Sequence, residues 1–307
     1  MLILLLCFLT VVTMAGSFYA YHIAFYSPHK NRDQVVKPKD PQYDPYRQEM
    51  RRIFHQLNDR PCEIVSIISH DGLNLSGRYY HINDGAPLDI GFHGYRSHPI
   101  TDFSGGTELS FQMGHNVLLI DERAHGKSDG CTISFGIQER LDLLDWVNYA
   151  IQRFGDDVEI LLYGVSMGGA TVLMASNLPL PGNVKGIIAD CPYAKPLDVI
   201  IYVGERTSFP TWLIKPFAIL AARMYGGFDL MEMDAVRAVK NAVVPILIIH
   251  GEADRYVPCN MSEAVALANP TMVRRFTFPD AAHGISYLVD TPRYHKIVKE
   301  FVQQVLS

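Results

Sequence analysis

Ser166 stands in the run LLYGVSMGGA, residues 161–170, where a short apolar stretch passes through Gly164-Val165-Ser166-Met167-Gly168 into small residues that suit the start of a helix. A serine on such a strand-to-helix turn is thrust clear of its neighbours, which is what a hydroxyl needs to attack an acyl carbon. Gly164 and Gly168 are expected where the tight turn leaves no room for a side chain. The N–H of Met167, next in the turn, points the same way and can stabilise an oxyanion. A bare GxSxG also occurs as a plain glycine turn, so the weight of the reading rests on the strand-turn-helix context.

A second oxyanion donor is expected from the loop after an earlier strand, and DIGFHGYRSH, residues 89–98, supplies one. Gly94 lets the backbone approach a substrate, so that the N–H of Tyr95 pairs with that of Met167 on the developing negative charge. His93 reads as a brace for this loop. A metal site built from His93 and His98 lacks a supporting carboxylate, and no metal or cofactor is expected.

Serine needs a base, and a histidine near neutral pKa is the usual one. Of twelve histidines, His283 in FPDAAHGIS follows the last expected strand and precedes the last helix, at the same sheet edge as Ser166. His250, in HGEAD, ends a strand and reads as a brace for that turn; His125 lies in the loop DERAHGKSDG. The acid that orients the base and stabilises its charged form is expected to be Asp254, just past the strand that ends at His250. Glu252 should point elsewhere, and Asp190, at the end of the preceding strand, is the alternative. The chain order Ser166, Asp254, His283 differs from both common serine-protease orders.

These residues must be positioned by a scaffold. Glu63 to Ile68 and Asn74 to His81 flank His70-Asp71-Gly72 and suggest an antiparallel hairpin. Apolar runs follow at Leu88 to Phe92, Val117 to Ile120, Glu159 to Tyr163, Gly186 to Ala189, Val244 to His250 and Arg274 to Phe278. Such runs suit strands buried on both faces of a parallel sheet. Helices are expected over Ile137 to Phe154, Gly168 to Asn177 and Pro292 to Leu306. The class is α/β, doubly wound and opened by a hairpin. Residues 195–243 are too long for a simple crossover and contain TWLIKPFAILAARM, so a small helical cap is expected there, with Pro216 bending or restarting its helix. Trp212, Leu213, Ile214, Phe217, Ile219 and Leu220 either line an acyl pocket or form plain cap core.

With these motifs in place, residues from about Glu63 to the C-terminus resemble the α/β-hydrolase superfamily, close to its anchored bacterial esterase and serine-aminopeptidase-like branch (S33). DERAHGKSDG resembles that branch's DxRGxGxS loop, with Ala124-His125 where the family tends to have a glycine and a small or aromatic residue. The resemblance implies a mostly parallel eight-stranded sheet, no cofactor and an acyl-enzyme intermediate formed on a Ser-His-Asp triad.

Ahead of that domain, Met1 to His29 holds no Asp, Glu, Lys or Arg, and Leu2 to Tyr21 gives twenty mostly apolar residues, enough to cross hydrocarbon as a helix. The rival, a cleaved secretory signal, wants a basic n-region that MLILLLC lacks. Residues 1–29 are therefore read as a single-pass membrane anchor, residues 30–62 as a tether and lead-in, and residues 63–307 as the catalytic domain. The side of the membrane stays open: Lys30, Arg32, Lys37 and Lys39 argue for a cytoplasmic flank, whereas many anchored hydrolases face outward. The five cysteines have no metal or redox spacing and read as mostly free, two bridges remaining conceivable in an oxidising compartment.

With 32 acids against 27 bases and no long basic run, nucleic acid is not an expected partner. A small, neutral or lipophilic acyl substrate is. The absence of an acidic cluster for a substrate amine tilts the reading to carboxylesterase or lipase. A serine peptidase or amidase, and a catalytically silent membrane binding module, are the competing functions.

Overall fold

The computed structural model describes residues 1–28, 40–207 and 209–307. Eight strands form one sheet: β1 Glu63–Ile68, β2 Asn74–Tyr80, β3 Leu88–Phe92, β4 Asn116–Ile120, β5 Ile160–Val165, β6 Val184–Asp190, β7 Ile246–Gly251 and β8 Val273–Phe278. Each falls on an expected run, with ends shifted by at most two residues. The spatial order is β1-β2-β4-β3-β5-β6-β7-β8. The pairs β1/β2 and β2/β4 are antiparallel and all later pairs are parallel. The chain has the α/β-hydrolase fold.

Alternation along the strands explains why the runs are apolar throughout. Leu88, Ile90, Phe92, Leu118 and Ile120 enter the larger core with Trp146 on one face. Val117 and Leu119, with Leu161, Ile188, Leu247 and Ile249, pack on the other face. A strand covered on both sides has no solvated face to carry polar residues. The covering helices include α3 Pro99–Phe103, α4 Gly106–Gln112, α5 Glu139–Phe154, α6 Met167–Ala175, α10 Cys259–Ala268, α11 Ser286–Val289 and α12 Thr291–Val305; at the N-terminus come α1 Leu2–Ala24 and α2 Arg47–Asn58. The sequence reading missed α2, α3, α4, α10 and α11. Three of these are seven residues or fewer, too short for a helical period to show.

The cap is helical: α7 Pro196–Gly204, α8 Thr211–Ala221 and α9 Ala235–Val239 lie between β6 and β7. Pro216 does not restart α8, which runs through it and ends in a π-helical turn, Ala222–Gly226, stopped by Gly227 at φ 71°. Among the cap residues weighed for an acyl pocket, Ile214 is buried while Trp212 faces outward.

The N-terminal segment departs most from expectation. Residues 1–15 are exposed, but from Gly16 onward α1 is docked on the hydrolase domain. Phe25 is wholly buried, packed edge-on against Phe135 and Phe228. The Ile133 N–H donates to the Phe25 carbonyl at 2.8 Å, and the Ser27 N–H to the Cys131 carbonyl at 2.9 Å. The segment read as a tether is, where described, also packed. A 3-10 helix, Pro41–Tyr46, leads into α2, and Tyr43, Ile53 and Leu57 are buried. Residues 29–39, with Lys30, Arg32, Lys37 and Lys39, lie outside the described residues. The five cysteines form no disulfide.

Candidate active site

The parallel strands end at one edge, and the segments leaving β3, β4, β5, β7 and β8 carry His93, Gly94, Tyr95, His98, His125, Ser166, Met167, Asp254 and His283. Ser166 follows β5 in a backbone conformation, φ 56° and ψ −111°, that side chains rarely adopt. Two glycines make the turn possible. A Cβ on Gly164 would sit 2.1 Å from the Gly168 carbonyl oxygen, and one on Gly168 would sit 1.8 Å from the Phe92 carbonyl oxygen. No real side chain tolerates either, so the turn that exposes Ser166 requires glycine at both positions.

Met167 is the first residue of α6, where an N–H has no preceding turn to bond to. Facing it is the loop after β3. An added Cβ on Gly94 would lie 3.3 Å from the Cβ of Ser166, which shows how closely that loop approaches the serine. The Gly94 N–H is taken by Oδ2 of Asp102 at 2.7 Å, and Oδ1 of Asp102 accepts from the Ser97 hydroxyl at 2.6 Å. The next amide, that of Tyr95, donates to no acceptor among the described residues. Tyr95, next to the glycine that approaches Ser166, and Met167, which follows Ser166, thus stand on the two backbone segments closest to the serine.

Two histidines brace this loop as neutral rings. His93 donates from Nδ1 to the Gly94 carbonyl at 2.8 Å and accepts the Glu122 N–H on Nε2 at 3.2 Å. Burial lowers its pKa, in keeping with an uncharged ring. His125 donates from Nδ1 to the Arg123 carbonyl at 2.9 Å and accepts the Arg96 N–H on Nε2 at 3.0 Å. The departure at Ala124-His125 thus has a structural consequence. Ala124 occupies a left-handed conformation, φ 61°, that glycine would adopt more easily, and His125 holds the backbone beside Tyr95. His98 caps α3 through Nδ1, 3.2 Å from the Ile100 N–H.

His283 and Asp254 meet. His283 Nδ1 lies 2.6 Å from Asp254 Oδ2. Asp254 Oδ1 accepts the Tyr256 and Val257 amides at 2.8 and 2.9 Å, and Oδ2 also lies 3.3 Å from His250 Nε2, whose proton is shared with the Val257 carbonyl at 3.0 Å. Burial by itself would raise the Asp254 pKa; the charge of His283 and these hydrogen bonds hold it well below the usual carboxylate range. For His283 burial would lower the pKa, and the Asp254 carboxylate reverses the sign, leaving it raised. Glu252 points away, to the Thr277 hydroxyl at 2.6 Å.

Asp190 is not the partner of His283. Its carboxylate is buried, accepts from the Tyr294 hydroxyl at 3.3 Å, and is raised to about 7 by burial against the weaker opposing pull of His283 and Tyr294. Sequence reasoning missed its neighbour Cys191, whose Sγ lies 3.9 Å from His283 Nε2, and Tyr43, whose hydroxyl donates to the His283 carbonyl at 3.1 Å. Position after a parallel strand could have flagged Cys191. Nothing local signals Tyr43, which is 240 residues from its partner in the chain.

Residues 132–307, more than half of the chain, match the model of the prolyl oligopeptidase family. The uncharacterized protein YqkD of Bacillus subtilis is 25% identical over 297 residues, which are 96% of this chain and 94% of that protein. The lysophosphatidylserine lipase ABHD12 of Macaca fascicularis is 25% identical over 210 residues, 62% of this chain and 49% of the lipase. Among solved structures, the esterase Pf2001 of Pyrococcus furiosus superposes with a TM-score of 0.69 at 21% identity, covering 92% of this chain and 99% of the esterase.

Proposed function

Because the chain belongs to the prolyl oligopeptidase family, a family of serine hydrolases, we propose that it cleaves carboxylic esters of lipophilic acyl groups through an acyl-enzyme on Ser166. His283 takes the Ser166 proton as the Oγ–acyl carbon bond forms, and the oxyanion is held by the Tyr95 and Met167 amides. The imidazolium then protonates the leaving alcohol as the ester bond breaks. Water, deprotonated by the same imidazole, releases the acid and restores Ser166. The observation that carries this reading is the 2.6 Å contact of His283 with a fully saturated Asp254 at the edge where Ser166 emerges.

Ester rather than amide cleavage is supported by the surroundings of His283. Asp102 is consumed by Gly94 and Ser97, Asp254 by four donors, and Asp190 is buried, so none of these three carboxylates is offered to a substrate's free amine. The named activities of Pf2001 and ABHD12 point the same way. Peptide amide cleavage, the activity in the family's name, is the second reading. We further propose that α1, 23 residues with mean hydropathy 2.2 over its most apolar window, is a single membrane span.

The test uses full-length protein in detergent, because α1 contributes buried residues to the domain. It is assayed on p-nitrophenyl esters of graded acyl length and on aminoacyl p-nitroanilides, beside Ser166→Ala. Ester turnover lost in the variant supports the proposal. Turnover of anilides alone shifts it to the peptidase reading, and failure of Ser166 to react with a fluorophosphonate leaves a silent binding module.

A further inference from the structure

The length of α1 and the place where it docks set a constraint on how the domain meets a membrane. Twenty-three residues at 1.5 Å per residue make about 35 Å of helix, little more than the roughly 30 Å of hydrocarbon that a span must cross. Yet the cap already holds α1 well before its end. An added Cβ on Gly16 would strike the Phe217 ring at 2.5 Å, so α8 lies directly against the helix there. The Tyr225 hydroxyl donates to the Met14 carbonyl at 3.1 Å, and its ring meets Phe18 edge-on at 5.3 Å. Met14, Gly16 and Phe18 lie inside the apolar helix Leu2–Ala24, so a span that takes this helix into hydrocarbon carries the cap surface packed on it to the bilayer boundary.

The cap also exposes several large apolar side chains, set among charged ones. Phe209 stacks edge-on with Phe217 and is itself exposed, as are Val203 and Met224. Trp212, near the start of α8, is 76% exposed. Of the cations nearby, Arg206 is held by the Tyr202 hydroxyl and the Arg255 carbonyl and Arg223 by Asp229, while Lys215 is exposed with a side chain long enough to reach headgroups from a partly immersed surface.

From the packing of the cap on this apolar helix and the exposed apolar side chains beside it we infer that the cap is sunk into the leaflet against which the hydrolase domain rests, with Phe209, Trp212 and Met224 among the acyl chains. This rests on α1 being a membrane span. It commits the cap to lipid.

The two tryptophans make the test direct. Trp146 is wholly buried in the core and Trp212 is exposed on the cap. Full-length protein would be reconstituted into phosphatidylcholine vesicles with and without lipid brominated near the top of one acyl chain, and its recovery with floated vesicles measured alongside its emission. The expected result is flotation with about a two-fold or greater loss of Trp212 emission, as for groups seated at the headgroup–acyl boundary, while Trp212→Phe leaves a Trp146 signal insensitive to bromine. Flotation with unquenched Trp212 overturns the immersed cap and leaves the anchor standing. Equal quenching in Trp212→Phe also overturns it, since the signal would then come from Trp146. Failure to float removes the anchor and the inference together.

Discussion

Asp254 Oδ2 sits 2.6 Å from His283 Nδ1 while its other oxygen is locked by the amides of Tyr256 and Val257. The carboxylate has no freedom to turn away, so the imidazole is held with Nδ1 as donor, and Nε2, 3.9 Å from Cys191 Sγ, is the nitrogen that the proposed mechanism uses as base. Asp254→Asn is expected to keep the fold and to lower kcat for esters by about 10⁴-fold, since the amide favours the wrong tautomer. Activity within tenfold of wild type would remove Asp254 from the mechanism.

The same contact sets the pH dependence. Only neutral His283 accepts the Ser166 proton, and its pKa is raised by Asp254 against the opposing effect of burial. The acid limb of kcat/KM should therefore have its midpoint above the ordinary imidazole value of about 6.5. In Asp254→Asn the midpoint should move down. A midpoint unchanged between the two proteins would show that another group titrates.

Asp190 gives the contrasting case. Its carboxyl is raised to about 7 in the folded protein, chiefly by burial, against about 3.9 when unfolded. The folded state thus keeps a proton that the unfolded state has released, and stability falls as pH rises between those values. Asp190→Asn should leave ester turnover within about an order of magnitude and raise Tm over wild type more at alkaline than at mildly acid pH. A loss like that of Asp254→Asn would identify Asp190 as the functional acid.

Phe25 tests whether α1 belongs to the domain. It is fully buried between Phe135 and Phe228, so Phe25→Ala should cost about 3–5 kcal/mol in denaturant unfolding. A loss under about 1 kcal/mol, the range of ordinary surface changes, would mean that the helix end is only loosely attached. Deleting residues 1–27 is expected to be worse, because the backbone bonds to Cys131 and Ile133 go as well.

His125 links the loop after β4 to the backbone next to Tyr95. His125→Phe removes the acceptor of the Arg96 N–H and should reduce kcat by about tenfold to a hundredfold with little change in KM, as expected when an oxyanion donor is displaced. A change confined to KM would place its effect in substrate binding instead.

Much of this molecule is written locally. The strands announce themselves because residues covered on both faces must be apolar, and Gly164-Val165-Ser166-Met167-Gly168 announces the nucleophile turn because its backbone excludes side chains at Gly164 and Gly168. Order along the chain then put Asp254 and His283 at the ends of β7 and β8, on the same edge. What sequence left open was decided by packing between distant segments. Asp254 and Asp190 both end strands beside His283; only the fold shows that one accepts its Nδ1 proton while the other is enclosed with Tyr294. The apolar run that marked α1 as a span could not reveal that its end seats Phe25 in the core, nor that Tyr43 reaches the carbonyl of His283. Those contacts join residues over a hundred or more positions apart, and no period or motif within either segment encodes the surface it will meet.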